Sequence, residues 1–241
     1  MTALTLEQEI ACLEDRYANL PAGRLVEKLI REAFPGRIAV VASFGAESAV
    51  LLRLVAEIDR STPILFLDTG KHFPETLAYR DRLAARLGLS DLRSLRPRDR
   101  HLRAADPDGS LWSRDADYCC HLRKVLPLED ALADFDCWIS GRKRYHGGDR
   151  AALKVFELAA GKIQVNPLLH WDDEAIRADF VRHGLPRHPL ADRGYPSIGC
   201  AVCTARPPSG GGVRAGRWPG LGKLECGIHA RPPALAASAT D

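Results

Sequence analysis

The feature that most constrains the fold is an alternation between short β-branched runs and longer amphipathic stretches. "RIAVVAS" (37–43) predicts a buried strand and "AVLLRLVAEI" (49–58) the helix after it. The pair repeats as "TPILFLDT" (62–69) and "PETLAYRDRLAARLG" (74–88). Further strands are predicted at "DLRSLRP", "CWISG" and "KIQVNPL", with a helix at "RKVLPLEDALAD". This alternation predicts an α/β fold, an open, mostly parallel twisted sheet with helices on both faces.

Two stretches outside this alternation complete the predicted organisation. Helices are expected over 6–19 and 22–33, ahead of the sheet. After residue 208 the sequence becomes rich in Gly and Pro ("PSGGGVRAGRWPGLG") and has no apolar period. We therefore predict an α/β domain over 1–208 and a flexible C-terminal arm over 209–241.

Composition and charge narrow the class of protein. No apolar run of about 18 residues is present, so we expect no membrane span. The acidic N-terminus lacks the features of a secretory signal, and we expect a cytoplasmic protein, monomeric or homo-oligomeric. A net charge of +3 is too small for broad nucleic-acid binding. The excess of Lys and Arg over acids between 201 and 231 predicts instead a local site for a small anion.

Three loops at the predicted carboxyl ends of strands carry polar or basic residues. "SFGAES" (43–48) offers hydroxyls, a glycine and helix N–H groups to a phosphate or sulfate, although it also fits an ordinary turn. Thr69 and Gly70 in "LDTG" follow the next strand, and the two turns together predict a nucleotide-binding edge. "SGRKRYHGGDR" (140–150) is basic and predicts an anion clamp rather than a solvated charge run.

The cysteines predict a metal site. Seven cysteines without an export signal disfavour a disulfide framework. Cys200 and Cys203 form a C-x-x-C pair, which alone fits a redox pair, half of a zinc site or half of an iron–sulfur site. With Cys119 and Cys120 the set reaches four thiols. Zinc ligands are usually spaced by two to four residues, so the adjacent pair favours a [4Fe–4S] cluster over zinc.

Three cysteines remain outside this set. Cys12 and Cys137 are predicted to be small buried core residues. Cys226 lies in "KLECGIHA", between Lys223 and His229. A thiol in a basic, mobile segment should have a lowered pKa and act as a nucleophile. The alternative is a cysteine that is exposed without a function.

Eight motifs together resemble those of the assimilatory adenylyl-sulfate reductases, in the phosphoadenylyl-sulfate reductase family and of its iron–sulfur-containing bacterial type. The motifs follow the family's order over residues 40–229: "SFGAES", "LDTG", "CCHLRKVLPL", "WISGRKR", "VNPLLHW", "DRGYPSIGCAVC", "RAGRW" and "ECGIH". The resemblance implies an adenine nucleotide α-hydrolase-like fold. Ser48 departs from the family, which commonly has Asp at this position.

The resemblance also implies roles for individual residues. It makes Cys226 the catalytic nucleophile and assigns four ligands to a [4Fe–4S] cluster: Cys119, Cys120, Cys200 and Cys203. It implies that a larger set binds substrate: Ser43, Phe44, Gly45 and Ala46 in a phosphate-binding loop, Thr69 and Gly70 as nucleotide contacts, Arg142 and Arg144 in an arginine loop, and Lys124, Arg214, Arg217 and His229 around the sulfate.

The implied reaction is the thioredoxin-dependent reduction of adenosine 5′-phosphosulfate to sulfite and AMP. It would pass through an S-sulfocysteine on the enzyme and serve sulfate assimilation and cysteine biosynthesis. No thioredoxin-like region is present in the sequence, so thioredoxin is expected to be a separate protein. One alternative substrate is 3′-phosphoadenylyl sulfate. Another alternative is an ATP-using adenylyl-transfer or thiolation enzyme, against which the absence of an S-G-G-x-D-S loop counts. A non-catalytic zinc or iron–sulfur module would leave the anion loops and Cys226 unexplained.

Overall fold

Six strands form one sheet in the computed structural model, which describes residues 4–229. The strands are β1 Ile38–Val41, β2 Ile64–Leu67, β3 Leu92–Leu95, β4 Cys137–Ser140, β5 Phe156–Ala159 and β6 Lys162–Val165. Their order is β3-β2-β1-β4-β6-β5; β5 pairs antiparallel with β6, and the other pairs are parallel. The predicted sheet and its five strands are confirmed. The sequence prediction lacked β5, because this strand is joined to β6 by a short turn and so lies outside the alternation of strands and helices.

Helices cover both faces of this sheet. They are α1 Leu6–Tyr17, α2 Ala22–Lys28, α3 Ser48–Ile58, α4 Pro74–Leu87, α5 Asp99–Ala105, α6 Leu111–Arg114, α7 Ala116–Cys120, α8 Leu126–Ala131 and α9 Asp173–Arg182. Wide π-helical turns extend α2 through Leu29–Ala33 and join α7 to α8 through His121–Val125. None of the helices within residues 4–229 is long and apolar enough to cross a membrane.

The strands β1, β2, β4 and β6 bury side chains on both faces, as their apolar runs predict. Ile38 and Val40 pack on one side with residues of α1 to α4 and α9. Ala39 and Trp138 pack on the other side with Leu128 of α8. The period of two along each strand separates these two layers.

Two of the cysteine predictions can be compared with this core. Cys137 in β4 is fully buried, as predicted. The prediction for Cys12 is wrong, because Cys12 is exposed on α1. Ile10, Leu13 and Tyr17 form the side of α1 that packs on the core. The helical period places residue 12 away from that side.

The arm predicted from residue 209 folds back onto the sheet's carboxyl edge as far as the structure describes it. Residues 209–229 form turns, and Trp218 is 3% exposed. An isolated bridge joins Arg217 to Thr204, and Trp218 N–H donates to the carbonyl of Cys203 at 3.0 Å. Residues 230–241 of the predicted arm lie outside the described residues.

A buried ion pair between α3 and α9 gives a stability prediction. Arg53 donates two hydrogen bonds to Asp179 at 2.8 and 3.0 Å, and both side chains are less than 10% exposed. Asp179→Ala should lower the free energy of unfolding by about 3 kcal/mol, because it leaves a buried guanidinium without its main partner. Urea unfolding measures the loss. Glu57→Ala is the matched control, since Glu57 pairs with the same Arg53 but is half exposed; it should cost about 0.5 kcal/mol. Equal costs for the two variants would contradict the prediction.

Candidate active site

A cavity lies beyond the carboxyl ends of β1 and β4, where an open parallel sheet usually binds its ligand. The loops after these strands, the segment 196–200 and the arm form its walls. Among the predicted site residues, those that line it are Ser43, Gly45, Ala46, Lys124, Arg142, Cys200, Arg214, Arg217, Cys226 and His229. Those that do not are Phe44, Thr69, Gly70, Cys119, Cys120, Arg144 and Cys203.

The loop between β1 and α3 presents backbone rather than bulky side chains to the cavity. The Phe44 side chain is fully buried and packs edge-on against Phe66, with ring centroids 5.6 Å apart. Its φ of 49° turns the chain sharply here. No side chain caps the N-terminus of α3. In the first helical turn, the N–H groups of Ser48 and Val50 make only long hydrogen bonds of 3.3 Å, to the carbonyls of Gly45 and Glu47. The start of α3 therefore remains favourable for an anion, and Phe44 can contribute to it only through its backbone.

Glu47, which the sequence prediction did not include, joins this loop to the basic loop after β4. Its carboxylate lies 2.7 Å from Lys143 Nζ and 3.2 Å from His146 Nε2, and it accepts a hydrogen bond from the Tyr145 hydroxyl. Burial alone would raise the pKa of Glu47, but the close approach of His146 Nε2 and the charge of Lys143 outweigh it and hold the pKa at about 2. Glu47 thus fixes the relative position of the two loops.

This carboxylate predicts a specific dependence of stability on pH. A pKa of about 2 in place of the ordinary 4.5 stabilises the folded protein by about 3 kcal/mol at neutral pH. The stabilisation is present above the ordinary pKa and is lost as the pH falls through about 2. Unfolding free energies of wild type and Glu47→Gln should therefore differ most at neutral pH and converge in acid. Glu7→Gln, at an exposed position of α1, should show no such convergence.

The basic loop sends its arginines in different directions. Arg142 lines the cavity and pairs with Glu157 at 3.2 Å, while Arg150 lines it and pairs with Glu225. Arg144 points away from the cavity, because its guanidinium donates two hydrogen bonds, of 2.9 and 2.6 Å, to the carbonyl of Leu153. The arginines of this loop that face the cavity are therefore Arg142 and Arg150.

The turn after β2 contacts the cysteine segment instead of the cavity. Thr69 is 1% exposed, and its Oγ1 lies 3.2 Å from Cys200 Sγ. Arg123 donates to the carbonyl of Thr69 at 2.8 Å and also pairs with buried Asp106. Gly70 follows with a φ of 68°. This turn connects β2 to the segments that carry the four cysteines.

Four thiols are gathered behind the cavity. Cys119 and Cys120 end α7, and Cys200 and Cys203 flank a short turn; all four are buried free thiols. Burial, followed by the charge of Cys120, raises the pKa of Cys119 to about 11. Within residues 4–229, no three His, Cys, Asp or Glu side chains converge closely enough to hold a single metal ion. The four sulfurs are therefore neighbours without sharing one centre.

Lys124 lies between these thiols and the cavity. Its Nζ is 3.6 Å from Cys120 Sγ and 5.8 Å from the centre of the Trp218 ring. Burial alone would lower the pKa of Lys124, but electrostatic interaction with the sulfurs of Cys200, Cys226 and Cys120 raises it above its ordinary value. The ammonium group therefore stays charged at the wall of the cavity.

The arm supplies two more cations. The Arg217 guanidinium lies 4.7 Å from the Trp218 ring centre and so close to Gly199 that a Cβ there would be 2.1 Å from Arg217 Nη2. A residue larger than glycine at 199 would displace this guanidinium. Burial and the neighbouring Arg150 lower the pKa of Arg214 to about 10. Both groups remain cations at neutral pH.

Cys226 lies near the end of the described part of the arm, where it lines the cavity and is half-buried. It packs against the group formed by Cys120, Cys200, Cys203 and Trp218. Glu225 anchors its segment through ion pairs with Arg150 and Arg214, and Lys223 pairs with Asp117. His229 stacks on Trp138, with ring centres 5.3 Å apart. These contacts hold the Cys226 thiol at a cavity whose walls are strongly basic.

Fold and site together define a class of protein. It is an open α/β protein in which a cysteine lines a basic cavity at the carboxyl ends of the strands. Residues 37–206 match the family model described as phosphoadenosine phosphosulfate reductase domain, which covers more than half of the chain. The chain belongs to this family.

Relatives support the same assignment over nearly the whole chain. A protein of Mesorhizobium japonicum named adenosine 5′-phosphosulfate reductase is 48% identical over 91% of this chain and 86% of its own. One of the same name from Chelativorans sp. is 46% identical over 93% of each chain.

Solved structures agree with the fold. A phosphoadenylyl-sulfate reductase from Candida auris, in a phosphate complex, has a TM-score of 0.70 and 27% identity over 85% of this chain and 99% of its own. FMN adenylyltransferase from Candida glabrata, with a TM-score of 0.55 and 19% identity over 86% of this chain and 68% of its own, shows likeness in fold alone. The adenine nucleotide α-hydrolase-like fold predicted from the sequence is confirmed.

Proposed function

We propose that this protein reduces adenosine 5′-phosphosulfate to sulfite and AMP, with a thioredoxin-type dithiol protein as electron donor. The observation that carries the proposal is the position of Cys226 at a cavity lined by Lys124, Arg142, Arg214 and Arg217. The relatives named adenosine 5′-phosphosulfate reductase support this choice of substrate. The reaction belongs to sulfate assimilation and cysteine biosynthesis, and we propose a cytoplasmic location.

The first step is a nucleophilic displacement at sulfur. The Cys226 thiolate attacks the sulfate sulfur, the bond from that sulfur to the bridging oxygen breaks, and AMP leaves with the electron pair. An S-sulfocysteine remains on the enzyme. Because thiolate and substrate are both anions, the cations at the cavity wall are needed to offset their repulsion and the charge that develops on the leaving phosphate. The N–H groups at the start of α3 would hold that phosphate.

The second step returns the thiol. A thiolate of the donor attacks Sγ of Cys226, the sulfur–sulfur bond to the sulfonate group breaks, and sulfite leaves with the electron pair. The donor's second thiol then releases Cys226 and completes a disulfide in the donor. These two thiols supply the two electrons that sulfur gains. Since Cys226 faces the cavity when the arm is docked, we propose that the segment starting at Gly210–Gly212 opens for this step.

The four clustered cysteines fit a [4Fe–4S] cluster, which we propose as the cofactor. They are buried, free and adjacent, and the Thr69 hydroxyl and Lys124 ammonium lie next to two of their sulfurs. Thiolates are the usual protein ligands of such clusters. When bound, the cluster would organise the site and tune its local charge. Lys124 would connect this charged region to the sulfate.

A turnover assay tests the proposed function. Purified protein with reduced thioredoxin should release sulfite from adenosine 5′-phosphosulfate, with a higher kcat/KM than for 3′-phosphoadenylyl sulfate. The reverse order of kcat/KM would assign the alternative substrate. Pyrophosphate formation from ATP, without sulfite from either sulfonucleotide, would reject the proposal.

A further inference from the structure

Four polar side chains at the wall of the cavity and behind it form one hydrogen-bond chain: Ser140, Asn166, Gln164 and His229. Gln164 of β6 lies opposite Trp138 of β4 in the parallel pair, so the two side chains share the face of the sheet that His229 covers. Gln164 and Asn166 are fully buried, and Ser140 is 3% exposed. These three buried side chains therefore have to satisfy their hydrogen bonds within the protein.

The far end of the chain fixes its direction. Asn166 Nδ2 donates to the carbonyl of Lys154 at 2.9 Å and to Glu157 Oε2 at 2.7 Å. Both of these partners are acceptors, so the amide nitrogen has to face them. The Asn166 oxygen then accepts from Ser140 Oγ at 2.6 Å and from Gln164 Nε2 at 2.9 Å.

The near end of the chain determines the tautomer of His229. With its nitrogen facing Asn166, Gln164 presents Oε1 to His229 Nδ1 at 2.9 Å. An amide oxygen only accepts, so Nδ1 must carry the hydrogen. Nε2 makes no hydrogen bond to the residues that the structure describes, and His229 lines the cavity. Nε2 is thus the nitrogen available to a ligand.

A neutral Nε2 would present a lone pair to an anion. The charged groups around His229 are Arg142 and Arg150 from the basic loop and Arg214 from the arm, while Trp138 and Gln164 of the sheet are neutral. Burial, followed by these three guanidinium groups, lowers the pKa of His229 well below its ordinary value. A bound anion offsets the positive charges and favours protonation of Nε2.

We propose that Gln164 is a positioning residue that keeps the hydrogen on Nδ1 of His229, so that Nε2 takes up a proton when the anionic substrate binds and donates a hydrogen bond to it. The proton uptake by Nε2 on substrate binding rests on the proposed function. The tautomer with the hydrogen on Nδ1 is a property of the ligand-free protein and can be tested independently.

Nitrogen NMR of protein labelled with ¹⁵N-histidine tests the tautomer. At about pH 8, where neutral histidine predominates, the His229 signals, identified by their loss in His229→Asn, should show a protonated Nδ1 and an unprotonated Nε2. Gln164→Glu keeps an acceptor and should keep this tautomer, whereas Gln164→Leu should lose it. A protonated Nε2 in the wild-type protein would overturn the inference even if Gln164→Leu fails to fold.

Calorimetry in two buffers of different ionisation enthalpy tests the proton uptake. Adenosine 5′-phosphosulfate is titrated into Cys226→Ser, in which Cys226 cannot react, and into Cys226→Ser with His229→Asn. Cys226→Ser alone should take up about one more proton per bound nucleotide than the double variant that also contains His229→Asn. Equal uptake would reject the protonation of Nε2. Absence of binding heat in Cys226→Ser would reject the proposed function instead, and the NMR result would stand by itself.

Discussion

Replacing Cys226 with serine is expected to abolish sulfite release while nucleotide binding persists. A serine hydroxyl stays protonated at neutral pH and forms no S-sulfocysteine, so kcat should fall by on the order of 10⁴-fold or more. The side chain is nearly isosteric and half-buried, and Glu225 still anchors the segment through Arg150 and Arg214. Affinity for AMP should therefore change by less than about threefold.

Two measurements decide this prediction. Steady-state sulfite release gives kcat, and mass spectrometry of protein incubated with substrate without donor should detect one added sulfonate group in the wild type and none in the variant. Cys12→Ser is the matched control, because it removes an exposed thiol on α1 without touching the cavity. Turnover by Cys226→Ser at more than a few per cent of the wild-type rate would exclude Cys226 as the nucleophile.

Replacing Cys200 with serine is expected to remove the iron and the activity together. Cys200 belongs to the thiol group with Cys120 and Cys203, and its sulfur also contacts Thr69. Loss of one of four thiolates should make the cluster labile. Anaerobically purified wild type should contain about four iron and four acid-labile sulfide per chain, and Cys200→Ser less than about one of each.

Two outcomes of the iron and zinc measurements would contradict the proposed cluster or its ligands. Cys137→Ser is the control for loss of a buried cysteine, since Cys137 lies inside β4 and away from the four thiols; it should retain iron. Stoichiometric zinc with near-zero iron in the wild type would reject the cluster. Full iron in Cys200→Ser would reject the ligand set.

The centre of the sheet was predictable because β1, β2 and β4 are short apolar runs buried on both faces, and helices of 11 and 14 residues follow β1 and β2. β5 and α9 were not predicted from the sequence, because their patterns of apolar residues are weak. β5 has two half-exposed side chains in its four residues. α9 has a mixed surface and only Ile176 and Phe180 as buried apolar residues. Tertiary pairing, rather than local preference, holds both in place.

The sequence was sufficient to predict which loops form the candidate site, but not the direction in which their side chains point. Phe44 and Arg144 stand in the predicted motifs, yet a positive φ and the carbonyl of Leu153 turn them away from the cavity. Glu47 and Gln164 contribute to the site by contacting residues far along the chain, Lys143 and His229 respectively. The spacing of motifs does not predict such partners. For Glu47, however, a single carboxylate in a loop predicted to bind an anion indicates that a basic group lies nearby.

The convergence of the two cysteine pairs has a consequence for the whole polypeptide. Cys120 and Cys200 are separated by about 80 residues, which include β4, β5, β6 and α9. A single group bound by both pairs would act as a cross-link, and closing a loop of this length restricts the unfolded chain by on the order of 4 kcal/mol. The cofactor would thus contribute to conformational stability far from the chemistry. Its loss would lower the Tm of the entire sheet.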